Sequence, residues 1–105
     1  MLEDIAVLVL SGKLGYTEMA SSLHKKVKGF IRHGVKKIII NMEDVDLITS
    51  NGLGILMACQ TSAVNAEGQL ELIQPNDEVK QFLRITGLDG YFQIYETEKE
   101  ALEHF

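Results

Sequence analysis

Short β-branched runs alternate with helix-length amphipathic segments along the chain, and this alternation restricts the fold more than any other feature of the sequence. A strand, a helix and a second strand close a right-handed crossover, so repeating the unit builds a mainly parallel sheet with helices packed on it. The strongest strand signal is VKKIIINM (Val35 to Met42), whose three consecutive isoleucines suit a strand covered on both faces. IAVLVLSG (Ile5 to Gly12) is also continuously apolar and reads as a buried strand ending at its glycine. QLELIQP (Gln69 to Pro75) alternates as a strand that Pro75 terminates, and YFQIY (Tyr91 to Tyr95) is a brief last strand.

Helical periodicity fills the intervals. YTEMASSLHKKVKGFIRHG (Tyr16 to Gly34) places Met19, Leu23, Val27, Phe30 and Ile31 on one stripe, leaves Lys25, Lys26 and Lys28 outside it, and stops at Gly34. NDEVKQFLRITG (Asn76 to Gly87) offers Asn76 as N-cap, carboxylates in the first turn, an apolar stripe of Val79, Phe82 and Leu83, and Gly87 as the stop. TEKEALEHF opens on a Thr97/Glu100 capping box. The expected order is β-α-β-α-β-α-β-α: one α/β domain over residues 1–105, a mainly parallel sheet of about four strands with helices against it.

The segment LITSNGLGIL (Leu47 to Leu56) is locally ambiguous, because Asn-Gly between apolar runs is a hairpin signal and polar residues before an apolar run also begin helices. Length decides it. A hairpin would leave residues 53–66 as one strand of about fourteen residues, beyond the usual three to ten and rich in Ala, Met and Leu. On the resulting helix, Leu53, Leu56, Met57 and Val64 form one stripe, and Ile55, Ala58, Cys59, Ser62, Ala63 and Ala66 form an adjacent small-residue stripe. Such a helix either packs on two sides or shows part of its surface to a partner. Thr49, Ser50 and Asn51 stand at its N-terminus, after an acidic loop of Glu43 to Asp46. There a hydroxyl can serve as a cap, a phosphate ligand or a phosphate acceptor.

Charge and composition exclude several classes. A net charge of −5, with no basic cluster beyond HKKVK and VKK, argues against a surface that tracks nucleic-acid phosphates. The apolar opening follows Glu3 and Asp4 rather than a basic region and is far shorter than a membrane span, so a soluble, cytoplasmic protein is expected. Cys59, the single cysteine, lies within an apolar run and reads as a small hydrophobe. His24 and His33 read as exposed helix residues, His104 sits at the end of the chain, and none has a metal-ligand spacing. Glu43, Asp44 and Asp46 lack a calcium-loop pattern. SGKLGYT (Ser11 to Thr17) is not a P-loop, and no nucleophile is paired with a base, so neither cofactor, metal nor enzymatic activity is expected.

Three stretches together carry a family resemblance: GKLG after the first strand, KKIIINMEDVDLITSNGLGIL in the middle, and GQLELIQPNDEVKQFLRITGLDGYFQIYETEKEAL to the end. From Ile5 to Leu102 the chain resembles the STAS domain family of bacterial anti-sigma factor antagonists. The most specific parts are the central strand with its S-x-G-L-G turn and the spacing of Pro75, Val79, Leu83, Gly87 and Leu88.

The resemblance implies partner switching. In that family a serine at the helix N-terminus is phosphorylated by a cognate serine kinase that is also the anti-sigma factor, and a phosphatase reverses the modification. Carried over by position, the acceptor is Ser50, with Thr49 as the alternative; Asn51 is the following small residue, and Gly52, Leu53 and Gly54 match directly. The implied partner-binding residues are Gly15, Thr49, Ser50, Asn51, Gly52, Leu53 and Leu56. Two positions depart from the family: Thr49 and Gly15 each stand where it has an aspartate. The alternative is a STAS module used without phosphorylation, as a scaffold or a subunit of a signalling or membrane transport complex. The first strand starts close to the N-terminus, so the family's edge strand is expected to be shortened or absent, which leaves an edge for weak homodimerisation.

Overall fold

The structure, a computed structural model, describes residues 5–14, 19–88 and 90–103. The elements are β1 (Ile5–Leu14), α1 (Met19–Arg32), β2 (Lys37–Ile48), α2 (Ser50–Asn65), β3 (Gln69–Ile73), α3 (Asp77–Ile85), β4 (Gln93–Tyr95) and α4 (Glu98–Glu103). The strands form one sheet in the order β1-β2-β3-β4, every neighbouring pair parallel.

The isoleucine run of β2 does what its composition demands. Ile38, Ile39 and Ile40 are all fully buried, but alternate side chains go to different cores. Ile38, Ile40 and Met42 join the main core with Leu23 and Val27 of α1, Leu53, Leu56, Cys59 and Ala63 of α2, and Val79 and Leu83 of α3. Ile39 turns to the opposite face and packs with Ile73 and with Ala101 of α4. At about 1.5–3 kcal/mol for each large aliphatic side chain removed from water, this two-sided burial makes β2 and β3 the centre of the sheet's stability. β3 is likewise buried from Leu70 to Ile73, although its sequence alternates, because strands flank it on both sides and α4 covers its second face. Even Glu71 is only 2% exposed.

β1 differs from its expected character. Despite an equally apolar sequence it is an edge strand with alternating burial, and Val7 and Val9 remain 40% and 63% exposed. The six-residue α4 packs on β2, β3 and β4, and Ile5 is the described β1 residue that joins this second core, which Val7 and Val9 do not. β1 also runs on to Leu14, which turns the expected acidic loop Glu43 to Asp46 into strand. Ser11 pairs with Asp44, Gly12 with Val45, Lys13 with Leu47 and Leu14 with Ile48. Two register shifts, between Val9 and Ser11 and between Gly12 and Lys13, bring Val45 and Ile48 inward while Glu43, Asp44 and Asp46 stay outside. Gly12, at φ +79, sits between those shifts, in a backbone conformation that a side chain would strain.

Two helix readings need correction. Val64 is 56% exposed, while Gln60 is buried, its Nε2 donating to the Tyr91 carbonyl at 3.2 Å. His24 is half-buried rather than exposed: its Nε2 lies 3.2 Å from the Ser62 hydroxyl, tying α1 to α2. His104 lies outside the described residues. No described helix is long and apolar enough to cross a membrane.

Candidate functional site

The N-terminus of α2 is built by two segments distant in sequence, the end of β1 and the stretch from Thr49 to Gly52. Thr49, at φ −95 and ψ 170, is the N-cap: its Oγ1 accepts from the Gly52 N–H at 3.0 Å and donates to the Leu14 carbonyl at 3.2 Å. The Thr49 N–H donates to the same carbonyl at 3.0 Å. The last residue of β1 thus becomes the anchor of the helix start. Gly52 is required for that approach, because a Cβ at this position would lie 2.5 Å from the Leu14 carbonyl oxygen. The glycine in the S-x-G-L-G pattern is therefore a steric requirement, whereas Gly54, with nothing within 4 Å of a Cβ, is not.

With Thr49 occupied as the cap, Ser50 is the first helical residue and is exposed, as are Asn51 and Gly54. The first turn of α2 contains no acidic residue, and the whole helix sequence, SNGLGILMACQTSAVN, carries no charge. The positive end of the dipole therefore has no built-in carboxylate from the helix itself. Three residues expected on the docking face are buried: Gly52 against the Leu14 backbone, and Leu53, 5% exposed, and Leu56, fully buried, in the main core, because their spacing points them at the sheet. Gly15, the remaining expected contact, lies outside the described residues.

Nothing else in the described part of the molecule competes as a reactive centre. Cys59 is fully buried, and burial pushes its thiol up to about 12, so it stays protonated at neutral pH. The described residues contain no group of three or more His, Cys, Asp or Glu side chains able to hold a metal ion. Sequence reasoning missed the Leu14 carbonyl, since a backbone acceptor leaves no residue-type signal. It also missed the tie from Asn76, whose Nδ2 donates to the carbonyls of Val45 at 3.0 Å and Asp46 at 3.3 Å.

Comparison with known proteins agrees with this architecture. The family model described as the STAS domain matches residues 2–101. A Thermotoga neapolitana protein provisionally named an anti-sigma factor antagonist is 35% identical over 104 residues, 98% of this chain and 91% of that one. A crystal structure of a Thermotoga maritima protein given the same provisional name superposes with a TM-score of 0.89 at 31% identity, covering 99% of this chain and 89% of that one. The Bacillus cell-fate determinant SpoIIAA in its phosphorylated form shares the fold at 23% identity and a TM-score of 0.75, over 98% of this chain and 92% of that one. A parallel four-stranded sheet with the Thr49–Gly52 helix start on the Leu14 carbonyl, a whole-chain family match and relatives at this identity leave one assignment: the chain belongs to the STAS domain family and has the fold of an anti-sigma factor antagonist.

Proposed function

We propose that this protein is a partner-switching regulator that binds a serine kinase acting as an anti-sigma factor, and that phosphorylation of Ser50 releases it. The observation that carries this reading is the division of labour at the start of α2: Thr49 makes the cap, and Ser50 is left exposed beside it. A phosphate there adds roughly −1.5 to −2 charge where the helix dipole tolerates it, so the fold survives while the docking face changes sign. The name of the Thermotoga neapolitana relative and the existence of SpoIIAA in unphosphorylated and phosphorylated forms support the same reading. The docking surface consists of Ser50, Asn51 and Gly54, with Thr49, Gly52, Leu53 and Leu56 holding them in place and Gly15 following the Leu14 anchor in sequence. A phosphatase resets the switch, and the protein acts in the cytoplasm as a binding partner rather than an enzyme.

Incubation with the kinase encoded beside it and ATP, followed by intact-mass analysis and site mapping, tests the proposal. One phosphate on Ser50, lost in Ser50→Ala, is the expected result; a phosphate on Thr49 reassigns the acceptor. No phosphate at all favours the second reading, a STAS scaffold or complex subunit used without modification. What supports that second reading is Thr49 itself, which occupies the family's aspartate position and donates a hydrogen bond to Leu14 that a carboxylate cannot make. The outer edge of β1 supports weak self-association, which sedimentation showing only monomer at high concentration would remove.

A further inference from the structure

A groove of about 380 Å³ runs between the C-terminal end of β2 and α3. Its apolar lining is Leu47, Ile48, Val79, Phe82 and Ile85, and its polar lining is Glu78 and Gln81. Single exposed apolar residues are ordinary on a protein surface. Here Ile85, 73% exposed, and Leu47, 37% exposed, open into one depression.

The charges around it are uneven. Glu78 forms part of the wall, Asp77 precedes it in the first turn of α3, and the Asn76 side chain holds the Asp46 backbone against the start of the same helix. Three carboxylate residues are thereby gathered at that end, where the helix dipole favours negative charge. The cations of α3, Lys80 and Arg84, are not among the lining residues, and Lys80 Nζ is engaged 2.6 Å from Glu96 Oε1. Lys13 is the cation that the β1–β2 register sets beside the lining, opposite Leu47.

We infer that this groove is a second docking surface, and that it receives a basic amphipathic helix from a protein partner, apolar side chains entering between β2 and α3 and Lys or Arg side chains meeting Glu78, Asp77 and Asp46. Helix-in-groove recognition uses apolar anchors at helical spacing, and the flanking charges set orientation and partner choice. A small ligand fits poorly, because such ligands bury roughly 70–90% of their surface and a wall residue as open as Ile85 cannot provide that. An anionic membrane surface is disfavoured by the carboxylates. The inference rests on the reading of this domain as a docking protein. Ile48 immediately precedes the Thr49 cap, so one partner can span the groove and Ser50.

The test is titration of the ¹⁵N-labelled full chain with a synthetic Leu/Lys amphipathic helix, its Leu/Glu counterpart, and phosphatidylglycerol vesicles. The Leu/Lys peptide is expected to shift amides of residues 47–48 and 78–85. Glu78→Lys and Ile85→Glu are each expected to weaken it by about tenfold or more, a change of about 1.4 kcal/mol. Both positions are exposed, and a cooperative thermal melt with a dispersed amide spectrum verifies that each variant remains folded, Glu78→Lys melting somewhat lower for its lost dipole complement. Shifts centred elsewhere, equal binding of the Leu/Glu peptide, insensitivity to both variants, or vesicle binding through the groove would each overturn the inference. Because the peptides are not kinases, failure here leaves phosphorylation of Ser50 untouched, and an unphosphorylated Ser50 leaves a positive groove result standing.

Discussion

Helices α2 and α3 begin with the same capping geometry and opposite electrostatics. Thr49 and Asn76 are both extended, at ψ 170 and 172, and each accepts from the N–H three residues on, Gly52 at 3.0 Å and Val79 at 2.8 Å. Each cap also ties its helix to a strand, Thr49 to the Leu14 carbonyl of β1 and Asn76 to the Val45 and Asp46 carbonyls of β2. After the cap they diverge. α3 carries Asp77 and Glu78 in its first turn, a permanent complement to the dipole; α2 carries none and exposes a hydroxyl instead. A helix that needs only to be stable can keep its compensating charge in place. One that serves as a switch gains from a site where charge can be added and removed.

The steric part of this contrast has the largest expected effect. Gly52→Ala places a methyl group against the Leu14 backbone and should cost about 3 kcal/mol in urea unfolding, since neither chain segment can move freely. Gly54→Ala, two residues along in open space, should instead stabilise by about 0.5–1 kcal/mol. Equal effects at the two glycines would show that the Leu14 anchor is not the constraint described.

The caps come next. Asn76→Ala and Thr49→Ala should each cost about 1–2 kcal/mol, with Asn76 at the upper end because its side chain also donates to two β2 carbonyls. Below them lie the charges themselves. Glu78→Gln should destabilise by about 0.3–1 kcal/mol, and Ser50→Asp should shift stability by no more than about 1 kcal/mol while weakening kinase binding. Both stability changes should shrink in salt. Unchanged kinase affinity in Ser50→Asp would remove Ser50 as the switch.

The smallest effect is a pH dependence on the α2 side alone. Burial, and then the charge of Lys28, hold His24 below its usual range, so the folded state binds the proton less readily than the unfolded chain does. The associated stability is present above the unfolded value of about 6.5 and is lost as pH falls below it. Urea midpoints should fall between pH 7 and pH 5, and His24→Gln should flatten that slope.

Much of this architecture is legible one segment at a time. The isoleucine run, the Asn76 cap with its acidic turn, the Thr97 box, whose Oγ1 accepts from the Glu100 N–H at 3.1 Å, and the stop glycines Gly34 and Gly87 at positive φ all rest on interactions within a few residues. Segment length likewise resolves the Asn-Gly ambiguity without any long-range contact. What local pattern could not supply was position in the sheet. IAVLVL and QLELI read as a buried and an alternating strand, yet the first is the exposed edge and the second the buried interior.

The site divides along the same line. Ser50 and the small-residue turn follow from motif and helix phase, which are properties of neighbouring residues. That Thr49 rather than Ser50 makes the cap and that Gly52 must be glycine both depend on where β1 ends. A strand from the far side of a crossover brings the Leu14 carbonyl to the start of α2, and no short window of sequence contains both partners. Local chemistry names the elements and their ends; the close approach of distant backbone determines which of their side chains remain free to act.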